Sequence, residues 1–158
     1  MLKVKGLSHV VLYVNDLEKM VSFYTDVLGL VKYHENPGRM VFLTPDPAID
    51  DHQIALAKGR EGQAKLIGHI AWRVDTPAEV KAFYDQLKAL GVPIDHCVSH
   101  AYVEMGNTVS CYFLDPEGNR LEIYALVAER DEARINRPLD LEKGIDDIVM
   151  QASGLGAH

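Results

Sequence analysis

The chain has 158 residues, 47% apolar and 25% charged, the size and balance of an ordinary globular domain with a real core. Lys and Arg total 16 against 23 Asp and Glu, a net charge of −7, which argues against a surface built to grip nucleic-acid phosphates. No apolar run approaches the ~20 residues of a membrane helix, and none opens the chain as a secretion signal does. The expectation is therefore a cytoplasmic protein with no membrane partner. Two cysteines, Cys97 and Cys111, supply no disulfide framework.

In chain order, Leu7 to Val14 alternates apolar and other residues as a half-buried strand does. Asn15-Asp16 then caps a helix whose stripe is Leu17, Met20, Val21, Tyr24 and Leu28, closed by Gly29. Three shorter strands are expected at about Val31–Glu35, Met40–Thr44 and Gln53–Lys58, separated by Asn36-Pro37-Gly38 and Pro45-Asp46-Pro47. The order then starts again. Ile67 to Val74 is a strand, and Asp75-Thr76-Pro77 starts a helix with the stripe Val80, Phe83, Tyr84 and Leu87, closed by Gly91. Strands follow at about Ile94–Val98, Val109–Leu114 and Arg120–Leu126, the last two joined by Asp115-Pro116-Glu117-Gly118-Asn119. Beyond Leu126, Glu129 to Arg137 is charged and compatible with a helix, Pro138 to Leu141 interrupts it, and Gly154 to His158 reads as loose.

The two halves are one unit repeated. His9 and His69 stand 60 residues apart, as do Val14 and Val74, and Phe23-Tyr24 and Phe83-Tyr84; the offset reaches 62 at Gly29 and Gly91. The fold class expected is α+β: two tandem βαβββ units, residues 5–60 and 66–126, forming a curled mixed sheet with the helices outside. Residues 1–126 make the domain and 127–158 a C-terminal extension.

Period-two alternation puts Val10, Leu12 and Val14 on the face beneath the helix, with Ile70, Trp72 and Val74 as their equivalents. His9 and His69 take the other face of equivalent strands. Glu122, between Leu121 and Ile123, faces away from both apolar neighbours. A carboxylate on an inner sheet face is costly unless it is paired or metal-bound. Two imidazoles and one carboxylate are the mixed donors that suit Fe(II), Mn(II), Ni(II) or Zn(II). His9, His69 and Glu122 are thus the candidate metal ligands, with the sheet curled around them.

The segments Leu7-Ser8-His9-Val10-Val11-Leu12, Val27-Leu28-Gly29-Leu30, Gly68-His69-Ile70-Ala71 and Tyr112-Phe113-Leu114-Asp115-Pro116-Glu117-Gly118-Asn119-Arg120-Leu121-Glu122 together resemble the vicinal oxygen chelate superfamily. That superfamily holds glyoxalase I, fosfomycin thiol transferases, methylmalonyl-CoA epimerase, bleomycin-binding proteins and extradiol ring-cleavage dioxygenases. Isomerases of the glyoxalase type resemble a four-ligand pattern, with a further carboxylate in the last strand of the first unit. Here the aligned position is Ala55. Three other features are similar to single-domain extradiol dioxygenases: Tyr112 at the place of a substrate-orienting tyrosine, His52 in a strand resembling one that lines a catechol pocket, and the tail from Arg137 to Ile148.

That resemblance implies an Fe(II) enzyme taking a catechol-like aromatic and O₂, with Tyr112 on the substrate oxygen and a nearby histidine moving the proton. It departs from the family where that histidine usually lies. Met105-Gly106-Asn107 stands at the shorter spacing and Val103 at the longer, leaving His96 and His100 as the candidate bases and Asn107 as a pocket residue. The alternatives are another metalloenzyme on the same scaffold, a lyase, epimerase or thiol transferase, or a metal-free small-molecule binding and resistance protein. The resemblance also implies a homodimer.

Overall fold

In a computed structural model of the chain, residues 9–49, 52–62, 67, 69–102, 106–127 and 136–154 are described. The chain divides into two compact units, Met1–Ala64 and Lys65–His158.

In the first unit β1 (Val10–Val14) leads to α1 (Leu17–Asp26), then β2 (Val31–Asn36), β3 (Met40–Thr44) and β4 (Ile54–Lys58). The Asp16 carboxylate caps α1 by accepting from Lys19 N at 3.0 Å, satisfying one of the donors a helix start leaves open. Gly29, at φ 71°, turns the chain out of the helix in the left-handed conformation that glycine adopts without strain. The sheet order is β1-β4-β3-β2, with β1 and β4 parallel and the other pairs antiparallel. Met20, Phe23 and Tyr24 of α1 are buried together with Leu12, Val14, Val41, Leu43, Ile54 and Leu56. The opposite face begins at exposed Val11 and Tyr13, so the alternation expected of this strand is present.

The second unit repeats the plan with β5 (Ile70–Arg73), α2 (Pro77–Ala89), β6 (Ile94–Ser99), a two-residue β7 (Ala101–Tyr102), β8 (Gly106–Leu114) and β9 (Arg120–Leu126). Thr76 and Glu79 form a reciprocal cap on α2: the Thr76 hydroxyl accepts from Glu79 N at 3.3 Å, and the Glu79 carboxylate accepts from Thr76 N at 2.8 Å. With a two-residue β10 (Arg137–Pro138) from the C-terminal segment, the path of the sheet is β10-β6-β8-β9-β5, with β5 and β9 parallel, as β1 and β4 are in the first unit. The fold is thus the α+β duplication the sequence led us to expect.

The chain beyond Leu126 belongs to this second unit rather than hanging from it. Strand β10 (Arg137–Pro138) pairs antiparallel with β6. Helix α3 (Ile145–Ser153) buries Ile148 and Ala152, and Leu139 and Leu141 are buried ahead of it. Sequence reading did not find α3, because its N-cap is Gly144 with no side-chain hydrogen bond. The signal present was Ile145, Ile148, Val149 and Ala152 at helical spacing, closed by Gly154. The helix considered for 129–137 falls largely on residues outside the described ones, as do 155–158; Arg137 itself is in a strand.

Candidate active site

One rung of the second sheet carries most of the chemistry. The β8–β9 turn sets it. Asp115 Oδ1 accepts from Glu117 N and Asn119 N, each at 2.9 Å, Asn119 Nδ2 donates to Asp115 Oδ2 at 2.7 Å, and Gly118 supplies the left-handed residue at φ 77°. This closed turn fixes the register in which Tyr112 lies directly across from Glu122. Ala71 flanks Glu122 on the other side, in β5. Beyond Tyr112, a bulge at Asp95 re-aims β6 so that His96 is opposite Tyr112, the use to which bulges beside sites are often put. The rung therefore reads His96, Tyr112, Glu122, Ala71. Its side chains lie on the face opposite α2, because Leu121, Ile123, Phe113 and Cys111 occupy the helix face.

Around that rung the rings interlock. His96 is stacked on Tyr112, centroids 4.4 Å apart and planes 9° from parallel. His69 meets the same ring edge-on at 5.4 Å. His100 Nε2 and the Tyr112 hydroxyl share a hydrogen bond of 2.9 Å, its direction set by the imidazole tautomer. His100 is held there by its backbone: its N donates to Thr108 Oγ1 at 3.0 Å, and its carbonyl accepts from Thr108 N at 2.9 Å. Asp95 Oδ2 lies 3.1 Å from His96 Nδ1 and accepts from Arg120 Nε at 2.9 Å. Glu122 is only 2% exposed, and its ion-pair partner among the described residues is His69, Nε2 to Oε2 3.4 Å.

The His69–Glu122 pair fits a metal. A buried carboxylate facing one imidazole is a poor ion pair by itself. Two donors that each bind one ion at ~2.0–2.2 Å stand ~3–3.5 Å apart when adjacent in its coordination sphere. Nitrogen and carboxylate oxygen together suit the borderline divalent transition metals. Within neither unit do three or more His, Cys, Asp or Glu side chains converge into a ready cluster among the described residues.

The other expected residues are placed as follows. His9 precedes β1 in the first unit, its ring 4.3 Å from that of His52, and His52 meets Phe42 edge-on at 5.0 Å. Asn107 was expected to line a pocket, but it alternates to the helix face with Val109 and Cys111. There its side-chain amide donates to the Ala152 carbonyl at 2.6 Å, so it anchors α3 instead. Val103 and Met105 lie outside the described residues. Clefts in the first unit border α1 and the β2–β3 turn; neither includes His9 or His52.

The first unit contains the same rung with its chemistry removed. A bulge again falls in the outer strand, at Tyr33, 62 residues before the one at Asp95. It puts His34 opposite Phe42, Phe42 opposite Ala55, and Ala55 beside Val11. His34 thus matches His96, Phe42 matches Tyr112, Ala55 matches Glu122 and Val11 matches Ala71. Where the second unit has a phenol and a carboxylate, the first has a phenyl and a methyl. His9 and His69 keep the match at the strand starts.

Residues 6–123 match the family model described as the Glyoxalase/Bleomycin resistance protein/Dioxygenase superfamily. The chain belongs to this family. Over 122 residues it is 30% identical to the manganese-dependent 2,3-dihydroxybiphenyl 1,2-dioxygenase of Geobacillus genomosp. 3, covering 77% of this chain and 37% of that protein. The chain therefore spans little more than a third of that relative. It is 32% identical over 139 residues to the lactoylglutathione lyase of Escherichia coli O157:H7, covering 81% of this chain and 96% of the lyase. Among solved structures, an integron cassette protein from the mobile metagenome of a Halifax Harbour sewage outfall superposes with a TM-score of 0.62 at 30% identity, covering 78% of this chain and all of that one. Members of this glyoxalase superfamily include metal-dependent enzymes acting on small molecules. In this chain no helix among the described residues is long and apolar enough to cross a membrane.

Proposed function

We propose that this member of the glyoxalase superfamily is a metal-dependent dioxygenase of the extradiol type, opening the ring of a catechol-like substrate in aromatic catabolism. The observation that carries the reading is the Tyr112–His100 hydrogen bond, one rung position from Glu122 and in ring contact with His69. His69 and Glu122 would hold the ion, with His9 as third donor on the strength of its repeat equivalence to His69. Fe(II) is the expected metal, with Mn(II), Ni(II) and Zn(II) as the other candidates for this donor set. A bound divalent ion would lower the pKa of a substrate hydroxyl and bring the diol and O₂ into one coordination sphere.

The protein's own part is positional and protonic. The Tyr112 hydroxyl would hydrogen-bond a substrate oxygen beside Glu122, and His100 would accept or return a proton through that hydroxyl. His96 fixes the tilt of the Tyr112 ring by stacking, and Asp95 holds the Nδ1 side of His96. His52, beside His9, is the proposed wall of the aromatic pocket. On this reading His100 takes the part of the proton-moving histidine, at whose usual spacings this chain has Met105 and Val103. His100 reaches Tyr112 from twelve residues upstream because its backbone is pinned to Thr108.

The test is a panel of mono- and bicyclic catechols, including 2,3-dihydroxybiphenyl, offered with Fe(II) or Mn(II) under air. A coloured ring-fission product is expected. No turnover of any catechol with either metal overturns the reading.

A lyase is the second reading, favoured by the near-complete coverage of the lactoylglutathione lyase. Ala55 weighs against it, since the four-ligand pattern of those isomerases needs a carboxylate on that rung. Proton exchange next to a substrate carbonyl, supported by Ni(II) but not by Fe(II), would favour the lyase.

A further inference from the structure

The two cysteines of the chain lie on one rung. Cys97 of β6 and Cys111 of β8 are direct antiparallel partners, and neither is in a disulfide. Directly opposed residues in an antiparallel pair keep their Cα atoms ~4.5–5.5 Å apart, inside the ~4.4–6.8 Å window a disulfide needs. Side chains of directly opposed residues project to the same face of the sheet, so the two thiols are neighbours. Their accessibility differs. Cys111 is fully buried on the helix face, while Cys97 is only partly covered. The neighbouring Cys111 thiol favours the Cys97 thiolate, and burial and the Asp140 and Glu142 carboxylates oppose it, leaving its pKa below the usual thiol value; that of Cys111 is raised by Cys97 and by burial. A partly exposed thiol of lowered pKa beside a second thiol is the arrangement of a peroxide-reactive pair. The adjacent rung is His96 opposite Tyr112, on the other face of the same two strands.

We propose that Cys97 and Cys111 form a redox modification site, which hydroperoxide closes to an intrachain disulfide, and that closure is felt at the His96–Tyr112 rung. Cys97 sulfur attacks one peroxide oxygen; the O–O bond breaks, Cys97 becomes a sulfenic acid, and hydroxide leaves as water with the Cys97 proton. Cys111 sulfur then attacks Cys97 sulfur. The S–O bond breaks, the S–S bond forms, and the departing hydroxide takes the Cys111 proton as a second water. Two thiols have lost two electrons to one peroxide. Closing the bond draws β6 and β8 together on one face and rotates the next rung on the other, so the His96 stack moves.

The experiment treats the full chain with hydrogen peroxide, blocks remaining thiols with maleimide and reads the intact mass. Expected are loss of two hydrogens, protection of both cysteines, reversal by dithiothreitol and a shift of the His96 imidazole resonance on oxidation. Cys111→Ser should stop at a Cys97 sulfenic acid trapped by dimedone, and Cys97→Ser should leave Cys111 unreactive. Circular dichroism of each variant, with Cys111→Ala beside Cys111→Ser, separates loss of chemistry from loss of fold. Two thiols that stay free in the wild type, a sulfinic acid on Cys97 without a link, or a disulfide between chains would each overturn the site. A disulfide with an unmoved His96 resonance would overturn its coupling to the rung.

Discussion

Glu122 and Ala55 occupy the same rung position in two copies of one sheet, and the difference between them predicts where a metal is held. Glu122→Ala, which makes the second unit resemble the first, should abolish transition-metal content in protein purified without chelator, and His69→Ala should do the same. Retained stoichiometric metal in either variant would remove the pair from the ligand set. Tyr112→Phe copies the first unit's Phe42, keeps the ring that His96 and His69 touch, and removes only the hydroxyl. It should leave metal content intact and lower turnover about 10²-fold, the lower range of a lost proton-transfer group; His100→Ala should match it, and the double variant should be little worse than either. Additive losses would mean that the two residues do not act through one hydrogen bond. At this scale the sequence was legible wherever alternation decides orientation: His69, Glu122 and Tyr112 face as period two requires. It was illegible at Asp95, because a one-residue bulge leaves no compositional trace yet decides which β6 side chain meets Tyr112. Asn107 was misread for the related reason that spacing was counted across a loop, whereas strand parity turns its amide to Ala152.

Among the elements, α3 and β10 show what the second unit gained. The Asn107 amide and the Ser99 hydroxyl both donate to the Ala152 carbonyl, at 2.6 and 3.2 Å, so the last turn of α3 is fixed to the sheet through polar contacts in a buried place. Asn107→Ala should cost about 0.5–1.5 kcal/mol by removing one of that carbonyl's two donors, and Ile148→Ala about 2–5 kcal/mol as a buried large-to-small change. Both are measurable by urea denaturation. The connection into α3 is held to α2 by Glu142, which accepts from Tyr84 Oη at 2.7 Å and pairs with Lys88. Hydrogen bonds from Lys88 and Tyr84 lower the Glu142 pKa. A carboxylate with a depressed folded pKa stabilises fully above its unfolded value, and that contribution fades as pH falls through the folded value. Glu142→Gln should therefore lower stability slightly at neutral pH, flatten the acid side of the stability–pH curve below about pH 4.5, and converge with the wild type at the acid end. An unchanged acid limb would show that this contact is too solvent-screened to matter. The helices α1 and α2 were legible through Asp16, Thr76, Pro77 and the closing glycines. Helix α3 was not, because glycine at its start offers no side-chain signal and its nine residues give the apolar stripe little length over which to stand out.

For the whole molecule, the duplication is the organising fact. Both units run a parallel pair at the histidine-bearing strand, a bulge in the outer strand and a helix closed by glycine. They diverge in side-chain chemistry and in the added tail. The repeat could be read from the 60- and 62-residue offsets because backbone requirements, caps and turns, keep residue types that packing alone would let vary. If the donors act together, metal should stabilise the folded chain by mass action: about 2.7 kcal/mol at a free-metal concentration 100 times Kd, seen as a rise in Tm with Mn(II) or Fe(II) that chelator reverses. A Tm indifferent to both ions would count against a site formed only in the folded state.

The outer strands β2 and β6 are the same element in the two units, and each must deal with a row of unpaired backbone groups. β2 is exposed along its whole length and is guarded by its bulge and by the Lys32–Glu35 ion pair, 3.0 Å. β6 has given up that guard: its bulge serves the His96 rung, and Arg137–Pro138 cover its edge, with proline ending the ladder where no donor is left to offer. The tail is thus the counterweight to the site's own geometry. A chain cut before Arg137 should keep its first unit intact while the second seeks strand partners in other molecules. Such a protein would be self-adhesive rather than merely less stable, and light scattering would reveal it before calorimetry did.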